Sequence, residues 1–147
     1  MKLIECVPNF SEGRDRAVLD AIADAVRGVD GVQLLDVDPG HATHRTVFTF
    51  VGAPGAVAEA AFRAVRVSAE RIDMTRHRGE HPRLGAADVV PFVPLAGATM
   101  DDCVEVARAV GRRIGDELGI PVYLYEQAAR RPERRNLRVC TGCARRP

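Results

Sequence analysis

The apolar pattern begins at residues 2–7, Lys-Leu-Ile-Glu-Cys-Val, where four apolar residues flank Glu5 ahead of Pro8. A short, mostly apolar run stopped by a residue without an N–H predicts a short strand. Asn9-Phe-Ser-Glu-Gly13 then reads as a polar loop. Leu19, Ile22 and Val26 recur at the i, i+3, i+7 spacing of one helical face, with Asp15, Arg16, Asp20, Asp24 and Arg27 pointing away. Gly28 is expected to end this helix in the left-handed conformation. A strand follows at residues 32–38, a turn at Pro39-Gly40 and a second strand at 46–51, rich in β-branched and aromatic residues. The link between them is too short for a crossover helix, so the pair is expected to be antiparallel.

Pro54 just inside a helix start opens the second helix, whose stripe runs through Val57, Ala61, Ala64 and through Phe62, Val65, Ala69, Ile72. After a long polar loop, residues 88–93 predict a strand, and Pro91 within it indicates an edge position or a bulge. Thr99 with Asp102 resembles a capping box, and Cys103, Val106, Val110, Ile114 and Leu118 give a third helix ended by Gly119 and Pro121. Residues 122–125 are the expected last strand. The order β-α-β-β-α-β followed by α-β predicts an α+β fold, a ferredoxin-like split βαβ sandwich with an added α-β unit and helices on one face of the sheet. From Arg130 to Pro147 periodicity fades, and a frayed tail is expected.

The chain has 147 residues, 46% hydrophobic and 28% charged, which is the composition of one ordinary globular domain. No apolar run approaches a membrane span and no leader pattern opens the chain, so the expectation is a cytoplasmic protein with no membrane partner. In that compartment Cys6, Cys103, Cys140 and Cys143 are expected to be thiols. The net charge of +1 conceals an asymmetry, because residues 130–147 carry seven arginines and one acid. No aromatic residues interleave those arginines for base stacking, and nucleic acid is not an expected partner. The glycines form neither a dinucleotide nor a P-loop fingerprint.

Chemistry concentrates in the loop His77-Arg-Gly-Glu-His-Pro-Arg-Leu-Gly-Ala-Ala-Asp88. So long a loop in a compact domain is usually functional or disordered, and this one holds a base, acids and cations. His81 is a candidate general acid or base, read against a solvated surface histidine. His41 and His44 lie in the preceding strand-to-strand turn beside Asp36, Asp38 and Arg45. Together with His77 and His81 they allow a metal site, but the spacing lacks the helical pattern that would specify one, and no metal is expected. Cys140-x-x-Cys143 has no second pair to complete a zinc ribbon.

Several stretches carry a family resemblance: Glu5-Cys-Val-Pro-Asn-Phe-Ser-Glu-Gly13, Asp36-Val-Asp38, Arg45-Thr-Val-Phe-Thr-Phe-Val-Gly52, Ile72-Asp-Met74, His77 to Gly85, Asp88-Val-Val-Pro-Phe-Val-Pro94 and Ile120-Pro-Val-Tyr-Leu-Tyr-Glu126. They resemble the N-terminal subdomain of the glutamate formimidoyltransferase family over residues 2 to about 138. Residues 1–138 are accordingly expected to be that subdomain, residues 139–147 an unmatched basic tail, and the family's second subdomain absent from this sequence. The resemblance implies transfer of a formimidoyl group from N-formimidoyl-L-glutamate to N5 of tetrahydrofolate, in histidine catabolism and one-carbon metabolism. It also implies a ferredoxin-like subdomain. His81, in Gly-Glu-His-Pro-Arg, matches the family's catalytic histidine. Asp38, Arg45, Glu80 and Arg83 are the expected substrate-binding residues: Asp36, Asp38 or Glu80 to orient the imidazole or stabilise positive charge, Arg45 or Arg83 to clamp a carboxylate. Tetrahydrofolate enters as co-substrate, and the expected partner is a second copy or a second-subdomain polypeptide. The alternative reading is a catalytically silent, folate-binding or dimerising subdomain that needs a partner chain.

Overall fold

In the computed structural model, residues 1–72 and 85–124 are described. The expectations for Tyr125, the basic tail and most of the polar loop lie outside them. The described elements are β1 (Ile4–Cys6), β2 (Asn9–Phe10), α1 (Arg16–Arg27), β3 (Val32–Gly40), β4 (Arg45–Gly52), α2 (Pro54–Arg71), β5 (Ala87–Val89), β6 (Phe92–Pro94) and α3 (Met100–Arg113). A π-helical turn at Ile114–Leu118 follows α3.

The six strands form one antiparallel sheet, with β3 on β4, β4 on β1 and β2, and these on β6 and β5. Asn9–Phe10, read as loop from its polar neighbours, is in fact strand. The pairs Ile4–Gly52, Cys6–Phe50, Asn9–Val47 and Phe10–Thr46 keep one register. Thus β1 and β2 are a single course interrupted at Pro8, which has no N–H to donate. Pro8 still accepts, from Phe48 N–H at 3.0 Å. The same holds across the sheet, where Val7 N–H donates to the Pro91 carbonyl at 3.1 Å in the gap between β5 and β6. Pro91 therefore sits on an outer strand, where a missing donor costs least.

Period-two alternation sends Ile4, Cys6, Phe10, Thr46, Phe48 and Phe50 to one face, all fully buried. α1 and α2 cover that face, and α3 packs beside α2 and β6. Phe10 and Phe48 meet edge to face with ring centroids 5.3 Å apart. α1 buries Val18, Leu19, Ile22, Ala23 and Val26, and the Asp15 side chain caps it by accepting from Ala17 N–H at 3.0 Å. Its end departs from expectation. Gly28 has φ −73°, in the right-handed region, and the left-handed residue is Gly31 at φ +85°. The chain leaves α1 through three more residues, Gly28 to Asp30, before it reverses. On α2 the buried position near the C-terminus is Ser68 rather than Ala69, with the Ser68 hydroxyl returned to the Val65 carbonyl at 2.7 Å.

The last expected strand does not form over its described residues, 122–124. A strand needs a sheet edge to take up its N–H and C=O groups. Here the chain passes Gly119, at φ +68°, and packs on α3 instead, where a Cβ added at Gly111 would lie 3.1 Å from Val122 and 3.4 Å from Leu124.

α3 opens with the predicted capping box: Asp102 N–H donates to Thr99 Oγ1 at 3.2 Å and Thr99 N–H to the Asp102 carboxylate at 2.9 Å. That Thr99 N–H, followed by Lys2 Nζ, holds the Asp102 carboxyl below the ordinary aspartate range. Thr99→Ala is expected to destabilise the fold by about 1 kcal/mol, read from the midpoint of urea unfolding. The sign of the pH effect follows from the depressed carboxyl: its contribution is full above the ordinary aspartate range and is lost as pH falls through the lowered value. The two leading donors survive in Thr99→Ala, so that variant should lose most of the same stability in strong acid as wild type does, whereas Asp102→Asn should not.

Candidate active site

The sheet face opposite the helices carries the odd-numbered residues of β1, β2 and β4. Cross-strand partners share a face, so the Asp38–Val47 and Asp36–Thr49 pairs put both aspartates of β3 on this side, at its exposed margin. Asn9 pairs with Val47 from the other side and joins the same row. Arg45, at the start of β4, extends over this row. Its Nε donates to Asn9 Oδ1 at 3.1 Å and its Nη2 lies 3.0 Å from Asp88 Oδ2. The two charges of this pair are well buried, with side chains 15% and 5% exposed. Two nitrogens of the Arg45 guanidinium are thus committed to the protein, and its plane is fixed. Asp88 reaches Arg45 because the register between β2 and β5 slips beside it, from Asn9–Val89 to Phe10–Ala87. Such a bulge re-aims a side chain.

Sequence reasoning left Glu12 unassigned. It follows β2, is buried, and its Oε2 accepts from the N–H groups of Arg14 and Asp15, both at 3.0 Å. An acceptor with negative charge suits that place, just ahead of the N-terminus of α1. His44 ends the turn between β3 and β4. It is buried and has φ +52°, a left-handed conformation that costs a non-glycine residue energy and is kept only where surrounding structure holds it. What holds it is the hydrogen bond from Gly13 N–H to His44 Nδ1 at 3.0 Å. A ring nitrogen that accepts carries no proton, so this bond assigns the neutral ring's proton to Nε2. His44 Nδ1 also lies 3.3 Å from Glu12 Oε2. Because Nδ1 is an acceptor, this is a close approach and becomes an ion pair only when the ring is protonated. The turn meets the loop tightly, since a Cβ at position 13 would fall 2.3 Å from the Gly40 carbonyl oxygen and 2.6 Å from Arg45 N.

Of the residues expected to bind or react, Asp38 and Arg45 share one sheet face, while Glu80, His81 and Arg83 lie outside the described residues. The four-histidine grouping is likewise only half within them. Among the described residues no group of three or more His, Cys, Asp or Glu side chains is placed to hold a metal, and no helix is long and apolar enough to cross a membrane. Cys6 and Cys103 are buried thiols, each pushed up by burial.

The family profile described as the formiminotransferase domain, N-terminal subdomain, matches residues 3–141. The chain belongs to this family. It is 57% identical over 139 residues to the glutamate formimidoyltransferase of Thermoplasma acidophilum, covering 93% of this chain and 45% of that protein. The glutamate formimidoyltransferase of Streptococcus pyogenes is 51% identical over 136 residues, covering 92% and 46%. The formimidoyltransferase-cyclodeaminase of Dictyostelium discoideum is 53% identical over 137 residues, covering 93% and 26%. The chain thus spans less than half the length of these formiminotransferase relatives. The motifs quoted from the sequence all fall inside the matched stretch. Glu12, His44 and Asp88 were harder to find: each gains its role from a tertiary contact, and only the acid just ahead of a helix start was a local signal for Glu12.

Proposed function

We propose that this chain is the N-terminal half of a glutamate formimidoyltransferase, moving the formimidoyl group of N-formimidoyl-L-glutamate to N5 of tetrahydrofolate in the cytoplasm. The observation that carries the reading is the match of residues 3–141 to the formiminotransferase N-terminal subdomain. Strand order supports the finer fold expectation as well. β3 and the β1–β2 course flank β4, and β5–β6 lies beyond, which is the arrangement a ferredoxin-like split βαβ sandwich requires.

The proposed chemistry needs a base. As N5 attacks the amidine carbon it becomes cationic, and a neutral imidazole titrating near pH 7 takes its proton at little cost. His81 fills this role. The proton it takes is the one the departing glutamate nitrogen needs when the C–N bond breaks, so the imidazole ends neutral. Asp38 favours the positive charge that develops at N5, and Glu80, Arg45 and Arg83 complete the polar surroundings. Tetrahydrofolate is co-substrate.

The partner in this reading is a second-subdomain polypeptide. Ligand pockets bury most of their ligand, and the sheet face carrying Asp38 and Arg45 is one wall. The second reading is a silent subdomain that binds folate or pairs without turnover. A transfer assay separates the two: 5-formimidoyltetrahydrofolate should form when the chain is mixed with a second-subdomain polypeptide. Failure of the mixture to produce it, with both chains folded, would favour the silent subdomain.

A further inference from the structure

Ahead of α1 one ring nitrogen stands between two rival partners. His44 Nδ1 accepts from Gly13 N–H at 3.0 Å and lies 3.3 Å from Glu12 Oε2, with the histidine and glutamate side chains 11% and 9% exposed. Only a neutral ring can serve Gly13 N–H, because a protonated Nδ1 donates. Glu12 works the other way, since a carboxylate so close favours the charged ring. The acid is the fixed member of the cluster: its Oε2 holds the N–H groups of Arg14 and Asp15, and its carbonyl accepts from Thr46 Oγ1. The other titratable or charged groups around the ring, among the described residues, are engaged elsewhere or exposed. Arg14 Nε donates to the His41 carbonyl at 2.9 Å, the Asp15 carboxylate caps α1, Arg45 pairs with Asp88, and the His41 side chain is exposed in the same turn.

We propose that Glu12, Gly13 and His44 form a proton-operated switch beside Arg45. With the ring neutral, Gly13 N–H donates to Nδ1. When the ring takes a proton from solvent, Nδ1–H donates to Glu12 Oε2 and Gly13 N–H loses its acceptor. The bond lost is the one that holds His44 at φ +52°, so acid loosens the join between the β3–β4 turn and the loop ahead of α1. The switch belongs to the folded chain and stands apart from whether that chain transfers a formimidoyl group.

The test is a nitrogen-15 NMR titration of the full chain from about pH 8 to 5, the range in which histidines change charge. At the upper end the His44 ring should carry its proton on Nε2 alone. On acidification the ring should take up one proton, and in the same step protection of the Gly13 amide against hydrogen exchange should fall roughly five- to tenfold. Glu12→Gln should move that step to lower pH. His44→Asn supplies an oxygen acceptor in place of Nδ1 and tolerates the left-handed conformation, so Gly13 should stay protected throughout. The wild-type titration decides the matter if either variant fails to fold. A ring that stays neutral until the chain unfolds in acid, a Gly13 amide that ignores the titration, an unmoved step in Glu12→Gln, or a step that persists in His44→Asn would overturn the proposal.

Discussion

Replacing His81 by glutamine should lower kcat for formimidoyl transfer by about 10²–10⁴-fold, with KM for either substrate little changed. Glutamine is close to imidazole in size and still offers a donor and an acceptor, but it cannot hold a proton near neutral pH. The loss then reports the base and not a hole in the site. A substitution that removes an interaction made only in the transition state lowers kcat and kcat/KM together, and this is the expected pattern. The measurement is single-turnover formation of 5-formimidoyltetrahydrofolate by the chain mixed with a second-subdomain polypeptide. Wild-type turnover in His81→Gln would show that the proton leaves N5 by another route.

The largest effect on stability is expected at Phe48. It is fully buried in β4, packs edge to face on Phe10, and lies beneath the helices that cover the sheet. Phe48→Ala deletes a ring whose neighbours belong to several elements, so they can close only part of the space. The expected cost is about 3–5 kcal/mol, a large share of the roughly 5–15 kcal/mol that holds a domain together. Denaturant unfolding should show a lowered midpoint with an unchanged slope. Val93→Ala is the control, at a side chain 43% exposed, where a change within about 0.5 kcal/mol is expected. Equal losses at the two positions would mean that the core lies elsewhere than the burial of Phe48 indicates.

The helices were legible because their apolar positions repeat over three or more turns, and the starts of α2 and α3 are marked locally, by Pro54 and the Thr99–Asp102 box; the cap that Asp15 supplies to α1 emerged only in the structure. The antiparallel pairing of β3 and β4 followed from the short link between them. Asn9–Phe10 was not legible as strand, because nothing local distinguishes a polar loop from a strand resumed after a proline; the register set by Thr46 and Val47 does that. Val122–Leu124 failed for the converse reason: strand propensity was present, but among the described residues no ladder partner was. In the site, the motif residues could be named, and Asp38 and Arg45 fall on one face as period two demands. The tautomer of His44 and the reach of Asp88 depend on residues far apart in sequence, and no spacing rule foreshadows them.

The course formed by β1 and β2 lies between β4 and the β5–β6 course, although it precedes both in the chain. During synthesis Ile4 emerges long before Gly52 and longer still before Pro94, its two ladder partners. The earliest strand must therefore wait, whereas β3 and β4 are joined by a tight turn and can pair as soon as both are made. Loop closure penalises distant contacts and slows folds built on them. The β3–β4 hairpin with α1 and α2 against it is the expected early structure, with the first strand inserted beside it and the Phe92–Pro94 strand added last. Until that last strand arrives, the free edge of β1 is the site where a nascent chain would pair with the wrong neighbour.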